Sequence, residues 1–170
     1  IGLGYVGLPL VVEMAQAGYD VIGFDVDDRK AASVNAGKSY IGDVSDKELK
    51  EVVETGRFTA TTDFKSIAKS DAVIICVPTP LHKTRDPDLS YIISAVDRIA
   101  ANIRKNTLVV LESTTYPGTC DEIILPVIEA TGLKVGKDFW LAFSPERVDP
   151  GNARFFTRNI PKALGGTTPQ

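Results

Sequence analysis

The 170-residue sequence has no apolar run near the ~20 residues a bilayer-spanning helix needs, and no signal-peptide pattern. It has only two cysteines, Cys76 and Cys120, too few for a disulfide framework or a metal cluster. A reducing cytosol is the plain reading of that scarcity. It has one histidine, His82, in the polar stretch 81–88 with no obvious partner, which reads as a surface residue rather than a catalytic base. It also lacks a charge imbalance: 19 basic against 22 acidic residues give a net charge of −3, which does not suggest a nucleic-acid surface. Low-complexity tracts and internal repeats are absent. What remains is the length of one domain with a large core.

The first seven residues, Ile1-Gly2-Leu3-Gly4-Tyr5-Val6-Gly7, read G-x-G-x-x-G. An amphipathic helical pattern follows at once, through Leu8, Leu10, Val11, Met14, Ala15 and Ala17, with Pro9 in the first turn, where a missing N–H costs little. A helix N-terminus gathers unpaired N–H groups and partial positive charge, so an anion sits well there. Gly2 permits the turn, Gly4 lets a pyrophosphate approach the backbone, and Gly7 lets the helix pack on a sheet. The motif requires a strand before, a helix after and an acid about 20 residues on. Val21-Ile22-Gly23-Phe24 supplies a strand ending in Asp25, 18 residues after Gly7. The chain begins at Ile1 inside the motif, so the first strand is expected to be cut off. Asp25 is placed to accept the adenosine-ribose hydroxyls and to repel a 2′-phosphate, favouring NAD over NADP. Alternatively Asp25 and Asp27 cap the next helix. Arg29 and Lys30 either flank the adenosine or are solvated.

Strand and helix patterns then alternate. Helices are expected over 29–36, stopped by Gly37, over 46–54 with Ser45 as N-cap, over 66–69, from Ser90 to Arg104, and from about Thr119 to Ala130, closing at Gly132, with Pro117 placed to start it. Strands are expected at 58–61, at 71–77, at 107–111, at 139–143 and at 160–166. The unbroken apolar run from Ala72 to Val77 suits a parallel strand buried on both faces. The expected fold class is therefore α/β: a doubly wound, mostly parallel Rossmann sheet with helices on both faces. Asp25, Thr79, Thr114 and Glu146 each follow a strand, at the sheet edge where such folds bind ligands. Thr79 is a cofactor contact or an ordinary loop hydroxyl; Glu146 and Arg147 face a ligand or form a local salt bridge. Cys76 reads as core, and Cys120, in the first turn of its helix, as structural.

Four ordered motifs carry a resemblance: Gly2 to Pro9, Val77-Pro78-Thr79-Pro80, Glu112-Ser113-Thr114-Thr115 with Pro117-Gly118-Thr119, and Ser144-Pro145-Glu146-Arg147. Their order and spacing resemble the NAD-binding domain of the nucleotide-sugar dehydrogenases over essentially the whole chain. The stretch Ser144 to Asn152, with Asn159-Ile160-Pro161-Lys162 and Gly165-Gly166, is similar to the UDP-N-acetyl-hexosamine branch; in the UDP-glucose branch a bulky apolar residue usually follows the Glu. The resemblance implies NAD as cofactor, contacted by Gly2, Gly4, Tyr5, Val6, Gly7, Asp25, Arg29, Val77, Pro78, Thr79 and Thr114. It implies a four-electron oxidation of UDP-N-acetylglucosamine or UDP-N-acetylmannosamine to the uronate, for polysaccharide biosynthesis, with UDP-glucose as the alternative substrate. That chemistry runs from alcohol to aldehyde, to a thiohemiacetal on cysteine, through a second hydride transfer to a thioester, and then to hydrolysis. Thr114 and Glu146 would hold and activate water, and Glu146 and Arg147 would meet the UDP-sugar. The family's lysine, asparagine and nucleophilic cysteine are expected beyond this sequence, as are a central helix and a C-terminal UDP-binding domain. Residues 1–170 are accordingly expected to be inactive alone and to belong to a homodimer. Two other readings stand beside this one: a different Rossmann oxidoreductase, such as a β-hydroxyacid dehydrogenase, and a non-enzymatic nucleotide-binding module.

Overall fold

A computed structural model describes residues 1–81, 86–147 and 157–169. The chain divides into two compact units, one of Ile1–Asp63 with Arg147–Pro161, the other of Phe64–Glu146 with Lys162–Gln170.

The first unit begins with the glycine turn, which runs straight into helix α1, Gly7–Gln16. Strand β1, Val21–Phe24, pairs in parallel with β2, Phe58–Thr61, and helices α2, Asp28–Asn35, and α3, Asp46–Glu54, lie between them in sequence. No described strand precedes the turn, but the Gly2 amide donates to the Phe24 carbonyl at 2.7 Å, a ladder bond at the start of the motif. Helix α3 begins where expected because Ser45 and Glu48 form a reciprocal capping box, each satisfying an otherwise orphan amide of the first turn. Leu3, Leu8, Val12, Val34, Leu49 and Phe58 are among the side chains that close the core of this unit.

The second unit holds strands β3, Ala72–Ile75, β4, Thr107–Leu111, β5, Phe139–Phe143, and β6, Gly165–Gly166, in that spatial order. β3, β4 and β5 are parallel, and β6 runs antiparallel to β5. A 3₁₀ helix, Phe64–Lys69, precedes β3. Helix α4, Ser90–Ala100, turns Ile92, Ala95, Val96 and Ile99 into the core.

Several expected elements differ in extent, among them the helix expected to Arg104, which ends at Ala100, and the one expected over 66–69, which is the 3₁₀ helix from Phe64. The run expected as a strand to Val77 leaves the ladder after Ile75, and its burial is uneven, with Ala72 exposed and Val73 and Ile75 buried. The helix expected over 119–130 splits into a π turn, Cys120–Ile124, and helix α5, Leu125–Glu129. Pro126 has no N–H for the Glu122 carbonyl and its ring crowds that carbonyl, so the ladder takes a wider turn, with the Leu125 amide reaching Cys120 O. Gly118, at φ 101°, separates Pro117 from the helix that it was expected to open. The last strand is confined to two residues.

Candidate functional site

In the first unit, Gly2 has φ 92°, a left-handed turn that L side chains rarely adopt. A Cβ on Gly4 would meet nothing within 4 Å, so no neighbour in the fold requires glycine there. Space kept open directly before a helix N-terminus suits a group that is not part of the chain. The first turn of α1 has no side-chain cap and no acidic residue. An open backbone and an uncapped helix start with no acid in its first turn fit a pyrophosphate.

Asp25 lies at the C-terminal end of β1 with only 6% of its surface exposed. Its Oδ2 accepts from the Leu3 amide at 2.9 Å and its Oδ1 from the Asp27 amide at 3.0 Å. This ties the acid to the glycine turn directly. Lys30 Nζ is 3.3 Å from Asp25 Oδ2. A carboxylate has about four acceptor sites; three are engaged here, leaving room for one further donor. Asp27, not Asp25, caps α2, accepting from the Arg29 amide at 3.0 Å. Asp27 also takes the Arg29 side chain through Nε and Nη2, at 3.0 and 2.9 Å. That pairing holds the Asp27 carboxyl below its ordinary range. Of the two adjacent basic residues, the structure brings Lys30 to Asp25 and leaves Arg29 on Asp27, with its side chain 87% exposed. A contact the sequence did not suggest completes this patch: the Tyr40 hydroxyl donates to the Leu3 carbonyl at 2.7 Å. Burial first, and then the charges of Asp25 and Asp27, push the Tyr40 hydroxyl pKa up, so it stays a donor.

In the second unit, the loops after β3 and β4 are stitched together. Thr79 Oγ1 donates to the Thr114 carbonyl at 2.6 Å, and Ser113 Oγ to the Val77 carbonyl at 2.7 Å. Thr114 itself is exposed and Thr79 half-buried. The loop after β5 carries Glu146, whose side chain is largely buried and lies 3.7 Å from Lys162 Nζ. Lys162 also pairs with Glu112, and the Cys76 thiol donates to Glu112 Oε2 at 3.6 Å. In the sequence Glu112 and Lys162 stand out only as parts of the family motifs: an acid at a strand end and a lysine directly after a proline, neither pointing to the other.

Burial pushes the Cys76 thiol pKa up. Burial, with Asp121 beside it, pushes Cys120 up to about 11. Neither is a thiolate near neutral pH, so neither suits a nucleophile. A cleft of about 400 Å³ lies between the Thr115–Asp121 segment and β6 in this unit, and Thr79, Thr114 and Glu146 are not among its lining residues. Arg147 is exposed. His82 and the stretch Val148 to Asn152 lie outside the described residues. Among the described residues, no group of three His, Cys, Asp or Glu side chains could hold a metal.

Residues 1–170 match the model of the UDP-glucose/GDP-mannose dehydrogenase family, NAD binding domain. The UDP-N-acetyl-D-glucosamine 6-dehydrogenase of Pseudomonas aeruginosa is 36% identical over 171 residues, covering 100% of this chain and 40% of the relative. The UDP-N-acetyl-D-mannosamine dehydrogenase of Pyrococcus horikoshii is 40% identical over 152 residues, 89% of this chain and 36% of the relative. Among solved structures, an NDP-N-acetyl-D-galactosaminuronic acid dehydrogenase from Methanosarcina mazei superposes with a TM-score of 0.90 at 34% identity, over 99% of this chain and 38% of its own. The chain therefore spans about two fifths of the length of the curated relatives it matches.

Proposed function

The chain belongs to the UDP-glucose/GDP-mannose dehydrogenase family as its NAD-binding domain, and we propose that it serves a 6-dehydrogenase acting on UDP-N-acetylglucosamine or UDP-N-acetylmannosamine. Its parallel strands and intervening helices are those of a Rossmann α/β fold. NAD, when bound, accepts a hydride in each of the two oxidations that carry the sugar C6 alcohol to the acid. The observation that carries this reading is the bond from the Leu3 amide to Asp25, which fixes the acid against the glycine turn.

In this reading the amides from Gly4 through Tyr5, Val6 and Gly7 at the start of α1 hold the pyrophosphate, and Gly2, whose amide is given to Phe24, shapes the turn. Asp25 accepts one ribose hydroxyl in its remaining acceptor site, and Lys30 shares that ribose in the place first given to Arg29. The Thr79–Thr114 hydrogen bond holds the loops after β3 and β4 together, with Val77 and Pro78 shaping the approach. Thr114 orients the attacking water and Glu146 takes its proton. Arg147, exposed beside Glu146, meets the substrate phosphates. No nucleophile is assigned among residues 1–170. The N-acetyl-hexosamine preference rests on the Ser144-Pro145-Glu146-Arg147 stretch and on the two relatives above. We further infer cytoplasmic action, consistent with two unpaired thiols, work as a homodimer, and a uronate product used for polysaccharide biosynthesis.

Calorimetric titration tests the cofactor assignment. Asp25→Ala is expected to weaken NAD binding at least about tenfold, since a hydrogen bond to a charged group contributes about 1.5–3 kcal/mol. It should also narrow the gap to NADP. Unchanged NAD affinity would remove the ribose assignment. For the reaction, the full-length polypeptide that contains residues 1–170 is expected to release two NADH per UDP-sugar consumed. Binding of both ligands without turnover would instead favour a nucleotide sensor.

A further inference from the structure

We propose that Lys162 is a positioning residue for Glu146, its ammonium anchored on Glu112 and holding the Glu146 carboxylate in place for water activation. The proposal rests on the reading of Glu146 as the base. Strand register supports it first. β6 pairs antiparallel with β5, Phe143 opposite Gly165 and Ala142 opposite Gly166. Continuing that register past the paired residues places Lys162 opposite Glu146. Pro161 fixes the backbone immediately before it.

The side chains agree with the register. One ammonium stands between two carboxylates, in contact with Glu112 and 3.7 Å from Glu146. Glu112 is almost fully buried, and its second oxygen takes the Cys76 thiol. Glu112 is thus a fixed anchor, while Glu146, on the loop after β5, is the carboxylate with a task outside the cluster. Burial pulls the Lys162 pKa down, in keeping with a desolvated cation. Two buried carboxylates near one another resist joint ionisation unless a cation stands between them. During hydrolysis the water oxygen bonds to the thioester carbonyl carbon, Glu146 accepts the proton released, and the C–S bond breaks with its electron pair leaving on sulfur. Glu146 can do this only as the anion.

Among the described residues, the groups gathered at Glu146 include the Lys162 ammonium, with Glu112 paired to that same ammonium and the Cys76 thiol on Glu112. Removing the cation and removing the anchor anion therefore have opposite signs. In the full-length polypeptide, with UDP-N-acetylglucosamine and NAD, the acidic limb of the hydrolysis rate is measured against pH. Lys162→Met is expected to move that limb up by about one unit, roughly a tenfold loss of rate on the acid side. Lys162→Arg should restore it. Glu112→Gln is expected to move it down. Titration of the ¹³C-labelled Glu146 carboxyl by NMR, without substrate, should follow the same two directions, and it keeps the question open to a variant too slow to assay. No movement in either variant, or movement in the same direction in both, overturns the role of Lys162. A Glu146→Gln control separates the layers: full activity in that variant sinks the base assignment itself, whereas loss of activity with an unmoved limb in Lys162→Met sinks only the positioning role.

Discussion

Leu3 carries no reactive group, yet both its peptide groups are held: the amide by Asp25 and the carbonyl by Tyr40. The residue between the first two glycines is thus locked from two directions. A turn that must present amides to an anion gains by being rigid before the anion arrives. Tyr40→Phe removes one lock and leaves the ring in place. It should cost about 1 kcal/mol in urea-induced unfolding and weaken NAD binding roughly fivefold. An unchanged NAD dissociation constant would make Tyr40 a structural residue only. At this scale the sequence was partly legible. That Asp25 would be tied to the glycine turn followed from its spacing, and its alternative role as a cap falls to Asp27. The choice between Arg29 and Lys30 did not follow. Successive residues on a helix point about 100° apart, and which one turns back depends on the carboxylate the other has already captured. Tyr40 was not legible at all, because its bond to Leu3 joins positions 37 residues apart through a tertiary contact.

Elements follow local chemistry most closely where one strong signal marks each end. Ser45 and Glu48 mark the start of α3, and Gly37, at φ 68°, follows the end of α2. The departures come where two signals overlap. Pro126 lies within a helical apolar pattern, and periodicity alone does not say whether the chain will kink, stop or widen into a π turn. The apolar run into Val77 continues past the last ladder pair, because hydrophobicity records burial and not hydrogen bonding. One strand residue carries more than its pattern suggests. A Cβ on Gly23 of β1 would lie 2.7 Å from Leu3 Cδ2 and 2.9 Å from Phe58 Cε2. Both partners are almost fully buried, so neither side chain can swing clear. Gly23→Ala should therefore cost about 1–3 kcal/mol by overpacking, although alanine generally suits a strand better than glycine. Because the clash falls on Leu3, the same variant should also disturb the turn. Loss of stability with a normal NAD affinity would show that strand and turn are not coupled.

For the molecule as a whole, the legible part was the order of its signals: four motifs, three of them just after a strand, in a sequence of alternating strands and helices. The parts that escaped are buried charge clusters, Glu112–Lys162–Glu146 above all, assembled from three separate loops and strand ends. Single-sequence patterns register whether a position is apolar, and an ionisable residue inside the core reads like one on the surface. A ligand that binds only the folded chain stabilises it by mass action, about 2.7 kcal/mol at 100 times its dissociation constant. For a chain of this length each 1 kcal/mol raises the melting temperature by about 2–4 °C, so saturating NAD should raise it by roughly 5–10 °C. NADP at the same concentration should do markedly less, because its 2′-phosphate would meet the carboxylate of Asp25, and Asp25→Ala should bring the two shifts together. Equal shifts from NAD and NADP in the unaltered chain would mean that Lys30, and not Asp25, sets the charge that the ribose meets.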